Sequence, residues 1–258
     1  MFNRISNKLG RSLAHYLNRP IGRYQVFAIS DPGRLADLLR PADVLLVDGN
    51  SRVSTAIKYL TQSTWSHVAM YVGDFQHSGL DPVIAPVLIE ADLEQGVVAV
   101  PLNKYEKHNT RICRPVGLGE DDCRHVCRYV IERIGHAYDL KNVIDLARYL
   151  LPVPPVPVYW RRRMLALGSG DPTRAICSTL IAQAFQSVRY PILPHTEQRE
   201  MADMNPGYNM GEILHIRHNS LFTPRDFDIS PYFRIIKPTL EYGFDYRLLT
   251  WADRIDIL

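Results

Sequence analysis

The stretch Arg174-Ala-Ile-Cys-Ser-Thr-Leu-Ile-Ala-Gln-Ala-Phe185 follows directly on the breakers Gly168-Ser-Gly-Asp-Pro172, so a helix is expected to begin close to Cys177. A thiol at a helix start sits at the positive end of the helix dipole, where its thiolate is favoured. Taken alone, a cysteine on an apolar helix is more often a buried core residue than a nucleophile. Its weight changes with what lies upstream. Ser66-His-Val-Ala-Met-Tyr-Val-Gly73 and Pro86-Val-Leu-Ile-Glu-Ala91 both have strand character, and they place a base, His67, and an acid, Glu90, ahead of the thiol in chain order.

Strand alternation sets His67, Ala69 and Tyr71 on one face, and Leu88 and Glu90 on one face of the next strand. An antiparallel register with His67 opposite Glu90 would put Val72 opposite Ala85 and leave a loop between them. Ala42-Asp-Val-Leu-Leu-Val-Asp48, Gly96 to Val100 and Thr110 to Cys113 continue the strand pattern, which predicts at least four strands in the first half. Helical spacing recurs over 34–39, 54–61 and 120–134, and Tyr232-Phe-Arg-Ile-Ile236 is a late strand. Between the Cys177 helix and Asn219 the chain is expected to be loop.

Composition narrows the function classes. With 258 residues, 46% hydrophobic and 22% charged, the chain can bury a substantial core, and one elaborated domain is expected. Its boundaries are set at a helical extension over 1–40 and a main domain over 41–258. The formal charge of +3 is too small to imply nucleic acid. No apolar run approaches the roughly 20 residues of a membrane-spanning helix. The first residues carry charges without an uninterrupted apolar core, so a cytoplasmic location is expected, peripheral on the inner membrane face if the amphipathic start binds lipid. That start sets Phe2, Ile5, Leu9, Leu13, Tyr16 and Leu17 near helical spacing, with Arg4, Lys8, Arg11 and Arg19 between them. It is either a helix packed on the domain or an anchor on an anionic membrane.

Four cysteines, Cys113, Cys123, Cys127 and Cys177, are too few for a disulfide framework in a chain this long. Cys123 and Cys127 lie four apart on a helical stretch, but no second Cys or His pair stands at finger-like spacing, so buried thiols are expected rather than a metal. The segment Leu151-Pro-Val-Pro-Pro-Val-Pro-Val-Tyr-Trp160, followed by Arg161-Arg-Arg163, forbids regular helix or central strand. It predicts an extended insertion at about 151–163, either a rigid connector or a lid facing substrate or lipid.

A thiol that attacks a carbonyl needs a base, a group to orient that base, and donors for the oxyanion. Cys177 supplies the nucleophile, His67 the base and Glu90 the orienting carboxylate, with the backbone N–H of Cys177 as one oxyanion donor. Each also has a plainer reading: a core cysteine, a hydrogen-bonded structural histidine, and a carboxylate that simply meets solvent.

The local strings resemble the circularly permuted papain-like cysteine hydrolases of the NlpC/P60 superfamily, in particular the YiiX/YaeF-like amidase group. The resemblance is carried by Pro41-Ala-Asp-Val-Leu-Leu45, Ser63-Thr-Trp-Ser-His-Val-Ala-Met-Tyr-Val-Gly73, Ile89-Glu-Ala91, Gly135-His-Ala-Tyr-Asp139, Ile176-Cys-Ser-Thr-Leu180 and Leu221-Phe-Thr-Pro-Arg-Asp226, across roughly residues 40–236. It implies an α+β fold in which an antiparallel sheet packs against the helix carrying the nucleophilic cysteine. It implies His67 as base, Glu90 as third residue and Cys177 as nucleophile, in the order a permuted chain has. Tyr138, in the family's Tyr-Asp pair, and Trp65, two residues before His67, are candidate substrate-binding residues. Ala42 stands where the family has glycine, and the insertion at 151–163 has no place in the family pattern.

The expected activity is that of a cysteine hydrolase, amidase- or peptidase-like or an acyl hydrolase or transferase, working through a Cys177 thioester. Its substrate would be a small-molecule, peptide or lipid-like acyl compound, with no cofactor, metal or nucleic acid. The alternative is a non-catalytic membrane-surface or ligand-binding module on the same fold. A weaker alternative is a metal site built from Cys177, His67 and a further histidine such as His195.

Overall fold

The computed structural model describes residues 15–22, 24–26, 32–73, 87–92, 94–136, 176–199, 211–215, 218 and 221–248. The N-terminal residues 1–14, Tyr138 and the Pro-rich insertion at 151–163 lie outside the described residues.

Six strands form one antiparallel sheet. They are β1 (Val44–Val47), β2 (His67–Tyr71), β3 (Val87–Asp92), β4 (Gly96–Pro101), β5 (Thr110–Pro115) and β8 (Phe233–Ile236), in the order β4-β3-β2-β1-β5-β8. The chain is α+β. Both faces of the sheet are covered, which is why the central strands carry unbroken apolar runs instead of clean alternation: all four residues of β1 are buried.

One face packs Val44, Leu46, Val68, Met70, Ile89 and Cys113 against the helices α3 (Glu120–Ile131) and α4 (Ile176–Ser187). The other packs Leu45, Val47, Ala69, Tyr71, Leu88 and Ile112 against α1 (Pro32–Leu38) and a 3-10 turn at Leu102–Tyr105. The helix α2 (Arg52–Thr61) starts at Ser51, whose side chain accepts from the Ser54 N–H. Residues 15–18 are helical; Leu17 is buried, while Tyr16 is exposed beneath the Arg52 guanidinium.

Two expectations need correcting. Glu90 pairs with Ala69 rather than His67, and Val72 meets Val87 rather than Ala85. The slip is two residues, so it keeps every side chain on its expected face. Second, the segment expected as loop before Asn219 contains a hairpin of β6 (His195–Arg199) and β7 (Gly211–His215). Its strands are five residues each and form a separate two-stranded sheet, and neither His195-Thr-Glu-Gln-Arg199 nor Gly211-Glu-Ile-Leu-His215 alternates apolar with polar residues. Leu221-Phe-Thr-Pro-Arg-Asp226 leads into a short helix, α5 (Pro224–Asp228), with a capping box between Thr223 and Asp226. Ala42, where the sequence resemblance predicts glycine, has φ of 69°, a left-handed conformation in which glycine is at ease and alanine is strained.

Candidate active site

The site forms where the β2–β3 ladder ends. The last paired residues are Ala69 and Glu90, and His67 begins β2 two residues beyond that rung. By strand parity His67 and Glu90 belong to the face covered by α1 and the 102–105 turn, whereas Cys177 belongs to the α4 side. The thiol and the imidazole therefore come from opposite sides of the sheet and meet where the β2–β3 ladder ends.

Glu90 is 1% exposed, at the centre of the set. Its Oε2 lies 3.2 Å from His67 Nε2. That contact leaves Nδ1 as the imidazole nitrogen available to the thiol. Glu90 Oε2 also accepts from the Tyr105 hydroxyl, and Oε1 accepts from the Lys104 ammonium. A carboxylate buried this deeply is costly unless its lone pairs are filled, and here three donors fill them. Burial alone would raise the Glu90 pKa, but the imidazolium of His67 and the Lys104 ammonium outweigh it and hold the acid at about 2.

Cys177 is 5% exposed, in the first turn of α4. Burial would push its thiol up; the His67 imidazolium reverses that and lowers it, helped by hydrogen bonds from His67 and the Val68 backbone. Where the ladder has stopped, the Val68 amide serves the sulfur. The Ser178 hydroxyl lies 4.0 Å from Sγ. Burial likewise pulls the imidazole down, yet the adjoining thiolate and Glu90 hold it up at about 10. The two shifts are reciprocal, each group favouring the charged form of the other, so the contact favours the thiolate–imidazolium form of the pair.

The other three cysteines contrast with this one. All are free; burial raises the thiols of Cys113 and Cys123 and pushes Cys127 up to about 12. Arg111 near Cys113 and Arg124 near Cys123 do not offset burial, whereas the His67 imidazolium does so at Cys177.

Trp65 is buried on the α4 side. Its indole N–H donates to Asp228 at 3.1 Å, and the Arg111 guanidinium lies 4.9 Å from its ring while also pairing with Asp228. Together with Gln62, Ser63, Arg225 and Ile229 these side chains line a cavity of about 400 Å³. Sequence reasoning missed Lys104 and Tyr105. They follow β4, and only the β3–β4 hairpin and the 3-10 turn bring them back over Glu90. No periodicity within residues 101–105 announces that return. Among the described residues, no group of three or more His, Cys, Asp or Glu side chains could hold a metal ion, and no helix is long and apolar enough to cross a membrane.

No family model and no curated protein matches this chain. Among solved structures it is similar to one described as metalloprotein yiiX from Escherichia coli O157:H7, with 16% identity, 77% of this chain and 96% of that chain covered, and a TM-score of 0.44.

Proposed function

We propose that the chain is a papain-like thiol hydrolase of permuted order, acting on an acyl substrate through a Cys177 thioester. The observation that carries this reading is the arrangement of Cys177, His67 and Glu90: a buried thiol against an imidazole whose far nitrogen is held by a buried, ionised carboxylate. A structural histidine has no need of all three in series.

In the proposed cycle the Cys177 thiolate adds to the acyl carbon, forming the C–S bond and placing the electron pair on oxygen. The imidazolium of His67 gives its proton to the leaving amine or alcohol as the tetrahedral adduct collapses to the thioester. A water molecule then attacks that thioester, losing one proton to His67, and the carboxylic acid departs as the C–S bond breaks and restores the thiolate beside the imidazolium. Glu90 keeps the imidazole oriented and stabilises it while charged. The backbone N–H of Cys177 is the proposed oxyanion donor, and Trp65 is proposed as a substrate-binding residue from its place in the polar cavity with Arg111 and Asp228, which none of the three catalytic candidates lines. A lipid-like acyl group and peripheral membrane binding are proposed as the setting for this chemistry, on the amphipathic residues 1–20 and the Pro-rich insertion.

The test is a thiol-directed activity probe applied at pH 6 to the folded protein, with mass spectrometry to identify the labelled cysteine. Labelling is expected on Cys177, and Cys177→Ala and His67→Ala should each abolish it. Labelling that persists in both variants overturns the reading.

A further inference from the structure

We propose that Lys104 and Tyr105 are positioning residues for this site: the ammonium and the phenol grip the two oxygens of Glu90 and fix its carboxylate plane so that Oε2 faces His67 Nε2. This deepens the reading of Cys177, His67 and Glu90 as a catalytic set and rests on it.

The geometry assigns each donor a separate task. A carboxylate held only by His67 could turn about its terminal torsion, which is a soft rotation. With Lys104 on Oε1 and Tyr105 on Oε2, both ends of the group are pinned. Tyr105 is a rigid anchor, because its ring is buried with Leu35, Leu39 and Leu102 in the second core and stands 6.1 Å from the His67 ring. Lys104 is different. Its side chain is 39% exposed, so it connects an otherwise buried set to solvent, and its Nζ lies 5.5 Å from the Tyr105 ring centroid.

The two residues are adjacent in one 3-10 turn, so a single local structure delivers both donors. The other titratable groups facing the set are His108 just beyond that turn and Asp92 at the end of β3, and Asp48 after β1 faces His108 in turn. Lys104 is among the groups that keep Glu90 charged, and both its ammonium and the His67 ring contact that carboxylate. A positioning role requires its effect on the thiol to run through Glu90. That distinguishes positioning from a general electrostatic effect, and a double-mutant cycle can read the difference.

The experiment measures the rate of Cys177 alkylation by iodoacetamide against pH, on the full chain, with melting temperature recorded for each variant. Lys104→Met should move the acid limb of the profile upward by about half a pH unit or more, which is about a threefold slower reaction at a pH on that limb. Lys104→Arg should restore most of it, and Tyr105→Phe, which keeps the ring in the core, should move the limb in the same direction. In a Glu90→Gln background, Lys104→Met should add nothing. An unmoved limb in Lys104→Met, or the same shift with and without Glu90, overturns the clamp. A wild-type limb no lower than that of an ordinary thiol overturns the thiol–imidazole reading, and the clamp with it.

Discussion

At the scale of single residues, the chemistry depends on which of several buried ionisable groups has a partner. Cys113, Cys127 and Cys177 are all buried, and burial alone makes a thiol inert. Only the thiol beside His67 is lowered, so His67→Ala should return Cys177 to the behaviour of the other two. Its alkylation at pH 6 is then expected to slow by more than about tenfold, as one pKa unit or more corresponds to that factor. Glu90 yields a prediction of opposite sign to that of a simple buried acid. Its folded pKa of about 2 lies below the ordinary 4.5, so the stability it contributes is fully present above 4.5 and is lost as pH falls through about 2. Denaturant midpoints of the wild type should therefore fall more steeply between pH 4.5 and pH 2 than those of Glu90→Gln.

At the scale of elements, α4 has to be held rigidly if its first turn is to present a nucleophile. Its far end is fixed by Phe185, fully buried, with ring centroids 5.2 Å from Phe233 and 5.4 Å from Tyr190. Phe185→Ala is expected to cost about 3 to 5 kcal/mol in urea denaturation, the usual cost of emptying such a site. The strands and helices of this core were legible in the sequence because β1, β2, β3 and α4 are bounded by breakers and carry dense apolar runs. His67, Glu90 and Cys177 were legible as chemistry in chain order. The register between β2 and β3 was not, because a slip of two residues leaves the pattern of faces unchanged. Lys104 and Tyr105 were hidden for a related reason: a charged residue and an aromatic in a short turn look like surface, and only the tertiary fold places them over a buried acid. The β6–β7 hairpin escaped notice because its two strands pair with each other in a sheet of their own and carry no run of alternating apolar residues.

At the scale of the whole molecule, a second buried ion pair ties the covering layer to the sheet. Asp43, fully buried before β1, receives the Arg114 guanidinium from β5 through two nitrogens. Arg114 also donates to the Leu38 carbonyl at the end of α1, and the Arg40 N–H donates to Asp43. Burial raises the Asp43 pKa despite the guanidinium, so the acid is tolerated as a charge only while that partner is present. Arg114→Met should destabilise the fold by about 3 to 5 kcal/mol, measured by denaturation, because it strands a buried carboxylate. The meeting of a thiol from α4 with an imidazole from β2 has a consequence for the order of assembly. Strands β1 to β4 follow one another along the chain and can pair before α4 arrives, whereas α4 comes from a distant part of the sequence. A nascent or partly folded chain consequently carries an unremarkable thiol, and the reactive one comes into being only when α4 docks on the sheet. In a refolding time course with pulsed alkylation, the reactivity of Cys177 should rise after the sheet's amides become protected from exchange, making the nucleophile a clock for its own fold.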